Sequence, residues 1–278
     1  MSLQGILKKM ETSIDQSQIV SGQEDINYKL IFSDQVVNMN SLIGKTVKLI
    51  HSGKIFCSHC KKQIKKSYAE GFCYPCSMKL ASCDLCILKP ELCHYDQGTC
   101  REPSWGEEHC LKPHIIYLAN SSGLKVGITR KANVPFRWMD QGATEALPVM
   151  EVKNRLTSGK IEVLFKKHIS DKTDWRKMLK GEAPPIDLYE WREKLLAELK
   201  EDLKSFEFTL LKEPVVRFSY PVVQYPEKVS SLNLDKKPEI FGKIFGIKGQ
   251  YLIFDCGVFN VRSHTGYEVT LEEIYVGA

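Results

Sequence analysis

The 278-residue sequence lacks any apolar run near the ~20 residues that a membrane-spanning helix requires. It also lacks a secretory pattern at its start, where Met1-Ser2-Leu3-Gln4-Gly5-Ile6 has no charged-then-apolar stretch. No internal repeat recurs, and no segment is of low complexity. Charge of one sign is not dominant either: 39 Lys and Arg against 34 Asp and Glu leave a net +5. These absences exclude the membrane-spanning, solenoid and fibrous classes. They lead to the expectation of a cytoplasmic globular protein with no membrane partner. The small positive balance permits a nucleic-acid partner without requiring one.

Cysteine is what the sequence has. Nine of its ten cysteines fall between Cys57 and Cys110, and the tenth, Cys256, is expected alone in an apolar strand. A secreted disulfide protein would be smaller and would carry an export signal. Thiols packed this densely in a cytoplasmic chain are usually metal ligands. Cys57-x2-Cys60, twelve residues, then Cys73-x2-Cys76 is a specific spacing. Each CxxC turn aims two thiolates at one point, and two turns complete a tetrahedron around Zn²⁺. Four thiolates leave no position for water, so this zinc is expected to be structural. A redox CxxC pair fits poorly, because neither pair opens a helix in a βαβ context.

A second set, Cys83, Cys86, Cys93, Cys100 and Cys110, offers five cysteines for four positions. A second structural zinc is expected there, and the spacing does not say which cysteine is left over. His94 and His109 adjoin candidate ligands but are expected to be loop residues. Lys61, Lys62, Lys65 and Lys66 lie between the first two CxxC turns. They suit either a solvated loop or a phosphate-contacting patch.

Around this block, residues 1–52 form a β-strand region with strands expected at 28–32 and 45–50, and residues 53–112 a Cys-rich zinc-binding module. Residues 113–182 form a small α/β domain, with a strand expected at 149–153. An amphipathic linker helix within 183–213 shows Leu188, Trp191, Leu195 and Leu199 at helical spacing. Residues 214–278 form a C-terminal β region, with strands at 244–247, 251–254 and 258–262. The two β regions should pair with each other in one small barrel or sheet, because each alone leaves unpaired edges. The fold class is α+β.

The segment "HIIYLANSSGLKVGITR", His114 to Arg130, reads as a β-hairpin. A five-residue connection from Ala119 to Gly123 pairs Leu118 with Leu124 and Ile116 with Val126, which keeps apolar residues on one face. Tyr117 then stands opposite Lys125 and Ile115 opposite Gly127, a phenol beside an ammonium and near a glycine.

Tyr117, Lys125-Val126-Gly127-Ile128-Thr129 and Arg137-Trp138 together resemble the core of the GIY-YIG nuclease superfamily over about residues 113–179. The stretches "CDLC", "GTCREPSWGEEHC", "LKVGITR" and "RWMDQGA" are similar to a bacterial domain-of-unknown-function family (2797) over nearly the whole chain. The nuclease resemblance implies a site that hydrolyses phosphodiesters in DNA or RNA with Mg²⁺ or Mn²⁺. Glu162 would hold the ion, Tyr117 would accept a proton or position the water, and Arg137 would clamp the phosphate. Lys125 stands where the superfamily has a second tyrosine and would supply a point charge, while Gly127, Thr129 and Arg130 would contact substrate. Four departures accompany the resemblance: the first motif keeps only its tyrosine, the second has lost its own, two extra residues precede Arg137, and the late asparagine of many members has no counterpart placed here.

Each residue also has a plainer role. A glutamate in the first turn of a helix suits the macrodipole, a strand tyrosine packs, and Arg137 beside Trp138 suits a stacked pair. A helix stripe of Ile161, Leu164, Phe165, His168 and Ile169 would bury His168, and Asp171 and Asp174 would cap or turn. The order of the four residues favours a site. Two functions follow: a metal-dependent endonuclease, or a catalytically inactive zinc-dependent nucleic-acid-binding protein.

Overall fold

Strand His114–Asn120 is buried at every one of its seven positions. It pairs antiparallel on both sides, with Leu124–Arg130 and with Glu145–Val152, and both faces of this sheet are covered. Successive side chains point to opposite faces. Ile115, Tyr117 and Ala119 enter a core shared with Trp138, Met139, Ile247, Leu252 and Phe259. Ile116 and Leu118 enter a second core with Leu147, Val149, Ile161, Phe165, Leu195 and Leu199. Each large apolar side chain so buried contributes roughly 1.5–3 kcal/mol relative to exposure.

The computed structural model describes residues 2–14, 26–32 and 35–275. The protein is a mixed α+β structure with three sheets, none of which closes into a barrel among the described residues. The largest sheet joins the two ends of the chain. Strand Thr46–Phe56 pairs with Tyr267–Ile274 and with Glu239–Lys248, while Ser2–Ile6 pairs with Tyr267–Ile274. Tyr251–Phe254 and Gly257–Asn260 continue this sheet beyond Glu239–Lys248. A small sheet comprises Glu11–Ser13, Asn27–Phe32 and Gln35–Asn38. The third is the central sheet, with Thr209–Leu210 and Val216–Arg217 lying along Glu145–Val152. No described helix is long and apolar enough to cross a membrane.

Helices cover the central sheet where the sequence caps them. Asn154 Oδ1 accepts from Thr157 N at 2.8 Å and starts Arg155–Phe165. Asp187 starts Leu188–Glu198, which turns Leu188 and Leu195 onto the sheet. Asp174 starts Trp175–Leu179, which packs instead on Ile253 and Val258 of the largest sheet. Such caps contribute about 1 kcal/mol each.

The largest sheet also fixes the short helix Phe136–Asp140. Gln250 Oε1 accepts from Met10 N at 2.8 Å, and its Nε2 donates to Asp140 Oδ1 at 2.9 Å. Gly249, at φ +60°, lies so close that a Cβ there would be 3.0 Å from the Asp140 carbonyl oxygen. The helix that carries Arg137 is thereby held against the terminal strands.

Several expectations are corrected. The hairpin is tighter: Asn120 pairs with Leu124, Leu118 with Val126, Tyr117 with Gly127 and Ile115 with Thr129. The shift is two residues, so every side chain keeps its face and the hydrophobic pattern is blind to it. The strand expected at 149–153 starts earlier, as Glu145–Val152. Helix Arg155–Phe165 ends before His168, which is exposed and pairs with Glu198 Oε2 at 2.9 Å. Cys256 is exposed in the turn between Tyr251–Phe254 and Gly257–Asn260, not within a strand. The division expected at 52/53 falls inside strand Thr46–Phe56.

Candidate metal centre and candidate active site

Cys57 follows the last residue of Thr46–Phe56, whose end pairs with Gln63–Ile64, so Cys60 lies in the intervening turn. Cys73 is the N-cap of helix Tyr74–Lys79, and Cys76 lies in its first turn. The four Sγ atoms are all within 4.8 Å of one another, with those of Cys60 and Cys73 at 3.8 Å. Cys73 N donates to Cys57 Sγ at 3.2 Å, and Cys76 N donates to Cys73 Sγ at 3.4 Å. Burial opposes the Cys57 thiolate, but backbone N–H groups of Cys73, Cys60 and His59 outweigh it and bring its pKa down to about 6. This donor set fits Zn²⁺, which favours four thiolates in a closed tetrahedron. Lys61, Lys62, Lys65 and Lys66 are all exposed around it.

Tyr117, Lys125, Arg137 and Glu162 line one open cavity of about 510 Å³, together with Gly127, Thr129 and Arg130. The four are spread over 46 residues of sequence and come from four different elements. Tyr117 and Lys125 stand on the same face of adjacent strands, displaced along the hairpin. Gly127 is directly opposite Tyr117, and a Cβ there would be 2.6 Å from Tyr117 Oη. The glycine makes room for the phenol ring. Trp138 packs edge-on to that ring, with centroids 5.6 Å apart.

Burial sets the electrostatics. Lys125 is almost fully buried; desolvation first, then the Arg137 charge, lower its pKa to about 7. Its Nζ donates to Gln141 Oε1 at 2.7 Å and to Thr173 Oγ1 at 2.9 Å. Desolvation pushes Tyr117 up to about 12, with Arg137 opposing. Glu162 is raised above the usual carboxylate range by burial, with Lys166 pulling it down.

The expectation of Glu162 in the first turn of a helix is corrected. It lies in the last turn of Arg155–Phe165, 7% exposed, with Oε2 3.2 Å from Lys166 Nζ. The macrodipole disfavours an anion there, and the i,i+4 pair with Lys166 offsets that cost. Lys166 also reaches Asp171 Oδ2 at 2.9 Å, and Asp171 lines the same cavity. The Lys166 ammonium therefore stands between the two carboxylates and offsets their charge.

Sequence reasoning missed Gln141, Arg155, Lys166 and Arg262, which all line the cavity. Gln141 carried a weak signal, since it sits one turn after Arg137 on the same short segment. Arg262 carried none, because it comes from the far end of the chain. Thr129 is buried on the wall, and Arg130 is half-buried beside it.

Fold and site together define an α+β protein with a four-cysteine cluster that can hold a metal ion and an open, polar cavity lined by cationic and carboxylate groups. Residues 44–269 match the family described as protein of unknown function (DUF2797), and the chain belongs to that family. Comparison with curated proteins and with solved structures gives no match.

Proposed function

We propose that the protein is a divalent-metal-dependent phosphodiesterase acting on DNA or RNA, with a GIY-YIG-like core and a zinc-ribbon-like module. The observation that carries this reading is the meeting of Tyr117, Lys125, Arg137 and Glu162 on one cavity wall. The strand order supports it: the first hairpin strand is central, with the third strand on its other side.

Glu162 and Asp171 would hold Mg²⁺ or Mn²⁺. Bound there, the ion would neutralise charge on the phosphate as a Lewis acid. Arg137 and Arg130 would orient the phosphate oxygens. Lys125, rather than Tyr117, is the better proton acceptor, because an amine with pKa about 7 is partly neutral where a phenol at about 12 stays protonated. Tyr117 would instead position Gln141, whose Oε1 accepts from both. The zinc at Cys57, Cys60, Cys73 and Cys76 would be structural.

A second reading, a catalytically inactive zinc-dependent nucleic-acid-binding protein, is favoured by the ion pair that engages Glu162. Incubation of the protein with a labelled oligonucleotide pool, with and without Mg²⁺ or Mn²⁺, separates the two. Metal-dependent products support the first reading; retention of the oligonucleotide without cleavage supports the second.

A further inference from the structure

Of the five later cysteines, Cys86, Cys93, Cys100 and Cys110 line one small cavity of about 10 Å³, and Cys83 is not among its lining residues. That volume admits about one water-sized sphere, enough for a single ion. We propose that these four thiols form a second tetrathiolate zinc centre, built into the wall of the candidate active site.

Two other donors stand near, and of these Asp84 is already engaged through both oxygens. Asp84, Cys86 and His94 present ligand atoms within 4.8 Å of one another, whereas the four thiols are not drawn that close together in this structure and would have to close on the ion. Asp84, however, caps helix Leu85–Leu88 through Cys86 N at 3.1 Å and pairs with Arg101 Nε at 2.6 Å. His94 Nδ1 is 2.7 Å from Thr99 Oγ1. Asp84 thus braces the cavity from its rim, and His94, with Nε2 3.6 Å from Asp84 Oδ1, is the donor that the His94→Gln variant tests. Zinc prefers thiolate to a carboxylate that must first give up a guanidinium.

The centre is joined to the site at named atoms. Cys110 lines both cavities. Arg155 N donates to the Cys110 carbonyl at 2.8 Å, and its guanidinium donates to the Ile87 carbonyl at 2.7 Å. Arg155 opens the helix that carries Glu162 and brings positive charge beside a centre that four thiolates make anionic. Between Cys100 and Cys110, helix Pro103–His109 places Trp105 and His109 on the active-site wall, stacked at 4.1 Å. The segment from Cys83 to Cys110 has few buried apolar residues of its own. A bound ion supplies the folding energy that its packing does not. This centre stands whether or not the protein is a nuclease.

Zinc per chain, measured by elemental analysis on the full chain and single variants with circular dichroism as a fold check, tests the assignment. The intact chain, Cys83→Ser, Asp84→Asn and His94→Gln should each hold about two ions, and Cys93→Ser or Cys100→Ser about one. Loss of an ion on Cys83→Ser, Asp84→Asn or His94→Gln would overturn the ligand set, as would one ion in the intact chain. If the Cys93 and Cys100 variants do not fold, cobalt substitution of the intact chain decides. Charge-transfer intensity for about eight thiolates per chain supports the proposal, and intensity for about seven or fewer contradicts it.

Discussion

Tyr117 Oη and Lys125 Nζ donate to the same acceptor, Gln141 Oε1, at 3.0 and 2.7 Å. One glutamine oxygen thus ties a phenol that keeps its proton to an amine that readily gives one up. The register of the hairpin makes this geometry. Gly127 sits opposite the tyrosine, leaving space for the ring, so that both polar tips meet at one point.

Burial of Lys125 gives a pH-dependent stability. Its folded pKa, about 7, is below the ordinary 10.5. Below pH 7 both states carry the proton, and the folded state bears the whole cost of an interior ammonium. Between pH 7 and 10.5 the unfolded chain holds more protons, so this group's contribution to stability rises with pH. Lys125→Met should therefore stabilise the fold at pH 6, by on the order of 1–4 kcal/mol. The gain should shrink as the pH approaches about 10. Thermal melts of both proteins in acidic and alkaline buffer check this; a variant less stable at pH 6 contradicts it.

Gly127→Ala should destabilise the protein by about 1–3 kcal/mol, typical of overpacking. The added Cβ would stand 2.6 Å from Tyr117 Oη and 2.7 Å from Cζ, and Trp138 and Gln141 hold that ring. Urea unfolding measures the loss. An unchanged midpoint would mean that the ring is free to move.

Gly159→Ala tests how the helix bearing Glu162 docks on the cysteine segment. Alanine is favoured over glycine in a helix interior by ~0.8–1.0 kcal/mol. Here the Cβ would crowd Glu91 N and lie 2.6 Å from the Pro90 carbonyl carbon, and these are backbone atoms that cannot swing away. Net destabilisation is expected, with faster amide exchange over residues 83–110. Net stabilisation would show that the contact is loose.

Removing the first zinc should open the end of a long strand. Cys57→Ser or Cys73→Ser should lose about one ion and raise amide exchange around residues 55–76, where Thr46–Phe56 meets Gln63–Ile64. A folded, zinc-free protein with titratable thiols would contradict this.

The first cysteine cluster was legible in the sequence, and the surroundings of the candidate site were not. Cys57, Cys60, Cys73 and Cys76 carry a spacing that ligand geometry makes specific, and they do cluster. Tyr117 and Lys125 share a face in either register, because a slip of two leaves parity intact. The register itself depends on turn length, which the apolar pattern does not encode. Glu162 was expected in a first turn because the cap at Asn154 went unread, and that cap moves the helix start well ahead of it. Lys166 and Asp171 were missed as partners of Glu162, since one lies a turn away and the other beyond the helix end.

Cleavage of a labelled oligonucleotide by the intact protein and by Glu162→Gln, each with Mg²⁺ or Mn²⁺ and each paired with a binding measurement, tests the central claim most directly. The intact protein should cut only with metal, and Arg137→Ala should cut about 10²–10³-fold more slowly. Glu162→Gln should bind the oligonucleotide as the intact protein does and leave it uncut. Cleavage that survives Glu162→Gln, or binding without cleavage by the intact protein in either metal, would contradict a phosphodiesterase.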